Sequence, residues 1–406
     1  MTATNTLITS SIVLKESLMQ LDNELVMAKL VHRDYEDKMM GKDGGTVTIK
    51  KPPKYTVRDG AVASPQDTTV GSTTVSIDKY KGVDLQFSSR DLTLSVEEFS
   101  ELHIKPAIRP LANQVDQDLM GLYAYVNNWV GSPGNTLGGF DDVGRGAQRL
   151  LEQAVPDDIK GVVSQADRFG LLNNIQGLYV QGVAKDALTK AQLPPLANVD
   201  LYASNNISTF TTGARGGTPL VNGGSQSSAY IDVRTTNTQT LAIDGASNSI
   251  TGWAKAGDVF TIAGVYDVNP VTGATLDYLK QFVVVSDANS NGSGVVSLTI
   301  SPAIIVTAPY KTVSAVPADN AALTFLGSAA TGYRQNMFFH KSAFALVTRP
   351  LEIPQGAVNA SRETFKGISA RLIPYYDGTN DLSNWRLDII YGVKAIRPEF
   401  ACRVSG

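Results

Sequence analysis

Three histidines, two pairs of aspartates and one cysteine are the residues in this 406-residue sequence best placed to move a proton, hold a metal or attack a substrate. His32, His103 and His340 sit in unrelated segments. A metal site or triad would need them to converge with acids. Asp141-Asp142 and Asp157-Asp158 carry the charge a cation needs. Paired aspartates ahead of a helix more often cap it and meet its positive end. Cys402 needs a neighbouring cation or a helix N-terminus to become a thiolate, and only Arg403 stands beside it in sequence. No Gly-x-x-x-x-Gly-Lys-Ser/Thr loop, Gly-x-Ser-x-Gly elbow or His-Glu-x-x-His pair occurs. The expectation is a non-catalytic protein with no metal and no cofactor.

A basic run, Lys50, Lys51, Lys54 and Arg58 with Tyr55 among them, is the other chemical feature. The whole chain holds 35 Lys and Arg against 38 Asp and Glu, for a net charge of -3. Its pI is near 5.7, whereas nucleic-acid-binding domains usually lie above about 9. Taken alone the run reads as a solvated arm; once assembly is assumed, it is read instead as pairing with Glu97, Glu98 and Glu101 of a neighbouring copy. Charge reversal at Lys54 and Arg58 is then expected to weaken assembly. Charged residues make up 18% of the chain, below the usual ~25%. A surface so sparse in charge suits a protein that keeps much of it against other chains. One cysteine excludes an intrachain disulfide and suits a reducing cytoplasm. The first residues lack the basic start of a signal peptide, and no run approaches the ~18 apolar residues of a membrane span.

The elements that must position these residues centre on Ser95 to Asn128. Ser95 and Glu98 form a capping box, and Pro106 and Pro110 interrupt or restart the helix. Beyond them Ile108, Leu111, Ala112, Val115, Leu119, Leu122 and Val126 recur on one face, with Asn113, Asp116 and Gln117 opposite. A helix over 108–128 would be about 30 Å long. Before it, Leu14, Leu18, Leu21 and Leu25 mark an amphipathic helix from about Ser11 to Tyr35, with Lys15, Glu16, Asp22 and Glu24 as its solvated face. Thr46–Lys51, Thr73–Asp78 and Val83–Phe87 alternate as strands, giving an extended arm of roughly 40 Å with open backbone edges. Something must cover such an arm, either this chain or another. Asp141-Asp142 starts a short helix, Ile159–Ser164 and Asn198–Ala203 read as strands, and Leu171–Gln192 as a broken helix. From Thr212 the composition turns to Gly, Ser, Thr and Asn. Short turn-punctuated strands then run through Gln239–Ile243, Asp258–Ala263, Gln281–Ser286 and Val295–Ile300. Residues 225–320 are read as an all-β barrel inserted in a parent domain, which resumes at Tyr333 and ends in the strand Trp385–Pro398.

Four stretches together resemble the major capsid proteins of tailed bacteriophages. They are 25–36 leading to Gly44-Gly-Thr-Val-Thr-Ile-Lys-Lys-Pro52; Arg109-Pro-Leu-Ala-Asn-Gln-Val115; Ala256-Gly-Asp-Val-Phe-Thr-Ile-Ala-Gly-Val265; and Ile390-Tyr-Gly-Val-Lys-Ala-Ile-Arg-Pro-Glu399. The last two are similar to the podophage subclass with an inserted domain. The resemblance implies an α+β, Hong Kong 97-like capsid fold carrying an inserted all-β barrel. Its parts would be an N-terminal arm (1–43), an extended β-hairpin loop (44–91), a spine helix of the peripheral domain (92–130), peripheral and axial parts (131–224), the barrel (225–320), and a second axial and peripheral part with the C-terminal strand (321–406). It implies pentamers and hexamers in an icosahedral shell, a scaffolding protein and portal during assembly, and double-stranded DNA enclosed without sequence specificity. A decoration protein is a further partner of some such shells; no membrane is involved. It places the protein in the virion, assembled in the host cytoplasm. The rival from the residues alone is a glycan- or surface-binding β-rich protein, with Trp253 and Tyr278 as its exposed aromatics. A metal-dependent hydrolase needs a convergence of His and Asp that the spacing does not offer.

Overall fold

The computed structural model describes residues 10–33, 45–58, 60–63, 65–66, 68–88, 105–175, 196–379 and 382–406. The fold is mixed α and β, and the chain divides into two compact units, each built from three separate stretches.

The first unit comprises Met1–Val47, Thr74–Leu119 and Ala345–Lys394. Its sheet runs Phe344–Thr348, Leu382–Ala395, Ile368–Asp377, Ser361–Phe365, and Lys79–Ser88 also pairs with Leu382–Ala395. Alternation sets the inner face: Leu387, Ile389 and Tyr391 are buried on one strand, Ala370 and Leu372 on its neighbour. The helix Ser10–Glu24 lies on Ser361–Phe365 and Ile368–Asp377, burying Leu14, Leu18 and Leu21. The expected continuation to Tyr35 is broken at Leu25 and Val26, and a short helix Met27–Leu30 follows. Asp22 does not belong to the solvated face. It is buried and takes an ion pair from Lys366 at 2.8 Å, because a partner from a distant strand reaches it there.

The central helix spans Lys105–Met120 and then tightens into a 3-10 turn at Gly121–Tyr125. Its α-helical part is about 24 Å long, shorter than the periodicity suggested. Asn128–Val130 is already strand. The apolar stripe is nonetheless the one expected, since Ile108, Leu111, Ala112, Val115, Leu119, Leu122 and Val126 are all buried. Pro106 falls in the first turn, where its missing N–H is not needed. Pro110 deprives the Pro106 carbonyl of its helical donor, but both prolines are exposed, so water can serve that group. Asp116, expected on the polar face, is buried and accepts from the backbone N–H of Val26 at 2.8 Å and Ala28 at 3.1 Å. It thereby supplies the cap that the Met27–Leu30 helix lacks from its own sequence. The Ser95–Glu98 capping box lies outside the described residues.

The second unit comprises Thr48–Thr73, Met120–Phe344 and Ala395–Gly406. One sheet runs Asn128–Val130, Ala401–Val404, Asn336–His340, Ile159–Val163, Val199–Ala203. The helix Phe140–Glu152 packs on it through Val143, Ala147 and Leu150 against Phe338, Cys402 and Val404. A Cβ at Gly146 would stand 2.7 Å from the Phe338 ring, so only glycine allows this approach. A six-stranded sheet runs Leu323–Phe325, Val259–Val268, Thr275–Val284, Val296–Ser301, Gln239–Ala246, Gly217–Val221. A bridge between Leu220 and Ala322 links its two edges, so it is nearly a closed barrel. Trp253, Phe260, Ile262, Phe282, Val284, Leu298 and Ile300 fill it. Of the expected long helix 171–192, the described part is Gln165–Ile175. Among the described residues no helix is long and apolar enough to cross a membrane.

Arg403 joins the five-stranded and six-stranded sheets of this unit. It is fully buried, and its guanidinium donates to Val126 O at 2.7 Å, Gly257 O at 2.8 Å and Gln335 Oε1 at 3.3 Å. The rings of Tyr123 and Trp129 stand 5.4 Å from its central carbon. Burial brings its pKa down to about 9, with Tyr123 and Asp258 pulling the other way, so it remains a cation at neutral pH.

Candidate functional site

The residues expected to do chemistry are structural where they are described. Asp141 and Asp142 occupy the first turn of the Phe140–Glu152 helix, whose N-cap is Gly139 and not either aspartate. Asp142 reaches back to the Gly138 N–H at 2.8 Å and pairs with Arg145. Asp157 and Asp158 precede a strand rather than a helix, and Asp158 pairs with Lys160 at 2.6 Å. His340 accepts from the Ser342 N–H through Nδ1, capping a 3-10 turn, and burial lowers its pKa. His32 forms a parallel bridge with Ala345, and His103 lies outside the described residues. Cys402 is buried, and burial pushes its thiol up to about 12 against the pull of Arg149 and Arg403. Among the described residues no three His, Cys, Asp or Glu side chains gather into a metal-binding group. Trp253 is buried with its Nε1 donating to Gly216 O, and the Tyr278 ring is covered by Arg149 at 3.6 Å. Neither offers a sugar-stacking face.

The extended arm is where the chain presents itself. Thr46–Lys51 and Gly71–Ser76 pair as a two-stranded sheet, each strand about 20 Å long. The third expected arm segment pairs instead with Leu382–Ala395, because Val83, Leu85 and their neighbours find a long partner there. Pro52-Pro53 ends the first strand, since proline gives the ladder no donor. The loop beyond is held by its own side chains. Gln66 accepts from Thr56 N–H at 2.8 Å and returns a bond to Thr56 O at 2.6 Å. Arg58 donates to the carbonyls of Gly60 and Val62. This ordering leaves Val57 98% and Val62 85% exposed. Apolar side chains fixed in water suit contact with another chain.

The four basic residues divide. Lys50, Lys54 and Arg58 are exposed, and Lys51 and Lys54 also line a cavity of about 300 Å³ at the arm's base. Its other walls bring Arg234, Lys280, Lys311 and Arg397. A stacked pair of rings, Tyr230 and Tyr310 at 3.5 Å, anchors the arm there. The Tyr310 hydroxyl donates to Thr69 O at 2.7 Å and accepts from the Lys54 N–H at 3.2 Å, so it holds both legs of the loop. Lys51 and Lys54 stand out in the sequence because they belong to one basic run. The remaining cations come singly from distant stretches and carry no local signal. Glu97, Glu98 and Glu101, the expected partners, lie outside the described residues.

The sequence model of the family described as P22 coat protein, gene protein 5, matches residues 1–405. A protein named major capsid protein, from Acyrthosiphon pisum secondary endosymbiont phage 1, is 22% identical over 417 residues, spanning 98% of this chain and 97% of that one. A solved structure from Mycobacterium phage Che8 is similar at 15% identity with a TM-score of 0.48, covering 93% of this chain and 90% of that one. The CUS-3 coat protein I-domain is 25% identical over 28% of this chain and 96% of its own length, with a TM-score of 0.20.

Proposed function

The chain belongs to the P22 coat protein family, and from that premise we propose that it works as the major capsid protein of a phage, many copies of which close into an icosahedral shell around a DNA genome. The match of the family model to residues 1–405 is the observation that carries this reading. The protein is part of a virion, and its role is structural rather than catalytic. Its fold is the Hong Kong 97-like capsid fold with an inserted barrel. The nearly closed six-stranded sheet between Gly217 and Phe325 supports the barrel, and the Lys105–Met120 helix supports the spine. The parts keep the boundaries set out above, with 44–91 as the extended loop and 225–320 as the insertion. A scaffolding protein and a portal assist assembly in the host cytoplasm, packaged double-stranded DNA is contacted without sequence preference, and a decoration protein is a further partner of some such shells. The glycan-binding alternative has lost its platform, since Trp253 is buried and Tyr278 is covered.

Light scattering and negative-stain microscopy of the expressed chain, with and without a scaffolding protein, test this. Shells, tubes or capsomer rings are expected, and a monodisperse monomer under every condition would overturn the reading.

The arm is proposed as a lateral contact in which its basic residues meet Glu97, Glu98 and Glu101 of a neighbouring copy. Lys50 and Arg58 are exposed, Arg58 while also tying the loop through Gly60 O and Val62 O, and exposed charges act chiefly on encounter and register. Reversing both, Lys50→Glu with Arg58→Glu, should lower assembly yield roughly tenfold at low salt and less at high salt. Reversing the three glutamates in the same chain should restore much of it. Wild-type yield from the double variant would remove these charges from the interface.

A further inference from the structure

The cavity at the base of the arm carries a charge that the rest of the chain does not explain. Among the described residues, six cations line it and Glu399 is the one acid. Lys280 is matched by Asp267 at 2.9 Å, which also takes a hydrogen bond from Gln153. Six cations less Glu399 and Asp267 leave an excess of four, in a chain whose net charge is -3. Among the described residues, Lys51, Lys54, Arg234, Lys311 and Arg397 form no ion pair with a carboxylate. Among the described residues, the Lys54 amine has only Pro270 O at 3.4 Å, and the Lys311 amine only Gly273 O at 3.5 Å. Lys54 is exposed overall, yet desolvation of its amine lowers its pKa. Glu399 opposes the shift, while Lys280 and Arg397 add to it. Like charges brought together on a partly dry wall raise the free energy unless an anion joins them.

We propose that this cavity is a binding site for a small, multiply charged phosphate compound, an inorganic polyphosphate or the phosphate chain of a nucleotide, held chiefly by Lys51, Lys54, Lys311, Arg234 and Arg397. Size selects the ligand: about 300 Å³ is the lower end of small-molecule sites and far too small for a nucleic-acid duplex. The mixture of side chains suits phosphate, since arginine forks grip its oxygens in pairs and lysines add compact point charges. Lys51 and Lys54 belong to the arm, and Arg234, Lys311 and Arg397 to other stretches of the unit, so the bound anion ties the arm to the rest of the unit.

The proposal concerns a single chain and does not depend on shell formation. Unassembled full-length protein titrated calorimetrically with sodium tripolyphosphate at low salt should show saturable one-site binding. Lys54→Gln with Arg397→Gln should weaken it about tenfold or more, and Lys311→Gln should weaken it severalfold on its own. Lys15→Gln, on the exposed face of the Ser10–Glu24 helix, should leave it unchanged. Unfolding midpoints near wild type show that the variants are folded, and Lys311→Gln serves where the double variant is not. ATP binding as tightly as tripolyphosphate would identify a nucleotide as the source, and tripolyphosphate alone would identify free polyphosphate. Absence of saturable binding, equal affinity in the folded variants, or saturation only by a hexaglutamate peptide would overturn the assignment.

Discussion

Arg403→Met should destabilise the second unit by about 3–5 kcal/mol, although methionine fills most of the volume. The guanidinium satisfies Val126 O, Gly257 O and Gln335 Oε1 in a site with no water access. Removing the donor leaves all three acceptors buried, and each such loss costs about 1–3 kcal/mol. Burying a cation without a bonded carboxylate also carries a desolvation penalty, visible in the lowered pKa, and methionine would remove it. The two effects oppose each other, and the number of stranded acceptors decides in favour of arginine. Arg403→Lys should fall between, because one amine cannot reach three acceptors spread around a planar fork. Urea unfolding followed by tryptophan fluorescence, to which Trp129 against the guanidinium contributes beside Trp253 and Trp385, measures the change. A methionine variant as stable as wild type would mean that desolvation dominates.

Asp388→Ala should cost the first unit about 3 kcal/mol or more at neutral pH. Asp388 is buried between two cations, Arg371 at 2.7 Å and Arg386 at 2.9 Å, and Arg371 is itself only 11% exposed. Deleting one partner of a buried pair strands the other. Burial alone would raise the Asp388 pKa, but the hydrogen bonds from Arg371, Arg386 and Tyr80 outweigh it and hold the carboxyl below its usual range. A carboxyl depressed on folding gives stability that is complete above its unfolded value, near 3.9, and is lost as pH falls through the lower folded value. The gap in unfolding midpoint between wild type and Asp388→Ala should therefore narrow as pH drops below about 4. A gap that stays constant with pH would show that the charge on Asp388 is not what stabilises the site.

Buried acids also mark where the sequence stopped being legible. Periodicity identified the buried stripe of the Lys105–Met120 helix and the four main strands of the barrel-like sheet, because apolar spacing and turn residues are local signals. The same rule sends charged residues outward, and it failed at Asp22 and Asp116. Each is buried because its partner arrives from elsewhere: Lys366 is 344 residues from Asp22, and Val26 is 90 from Asp116. Arg403 drew notice only as a neighbour of Cys402, since nothing local announces a guanidinium that bridges two sheets. Strands of three or four residues, such as Asn128–Val130, Thr209–Thr211 and Ala401–Val404, are too short to show alternation. At the arm, adjacency revealed the basic run but not which of its members line the cavity, which depends on where the cavity wall lies.

The shielding of Cys402 makes the chain easy to address chemically. Its one thiol is buried and held protonated at working pH, so thiol reagents should pass it by while the protein is folded. A cysteine introduced as Val62→Cys, at the arm's exposed tip, would then be the single reactive position in each copy. A maleimide dye placed there reports from one known point, and its accessibility before and after assembly tells directly whether another copy comes to lie over the arm.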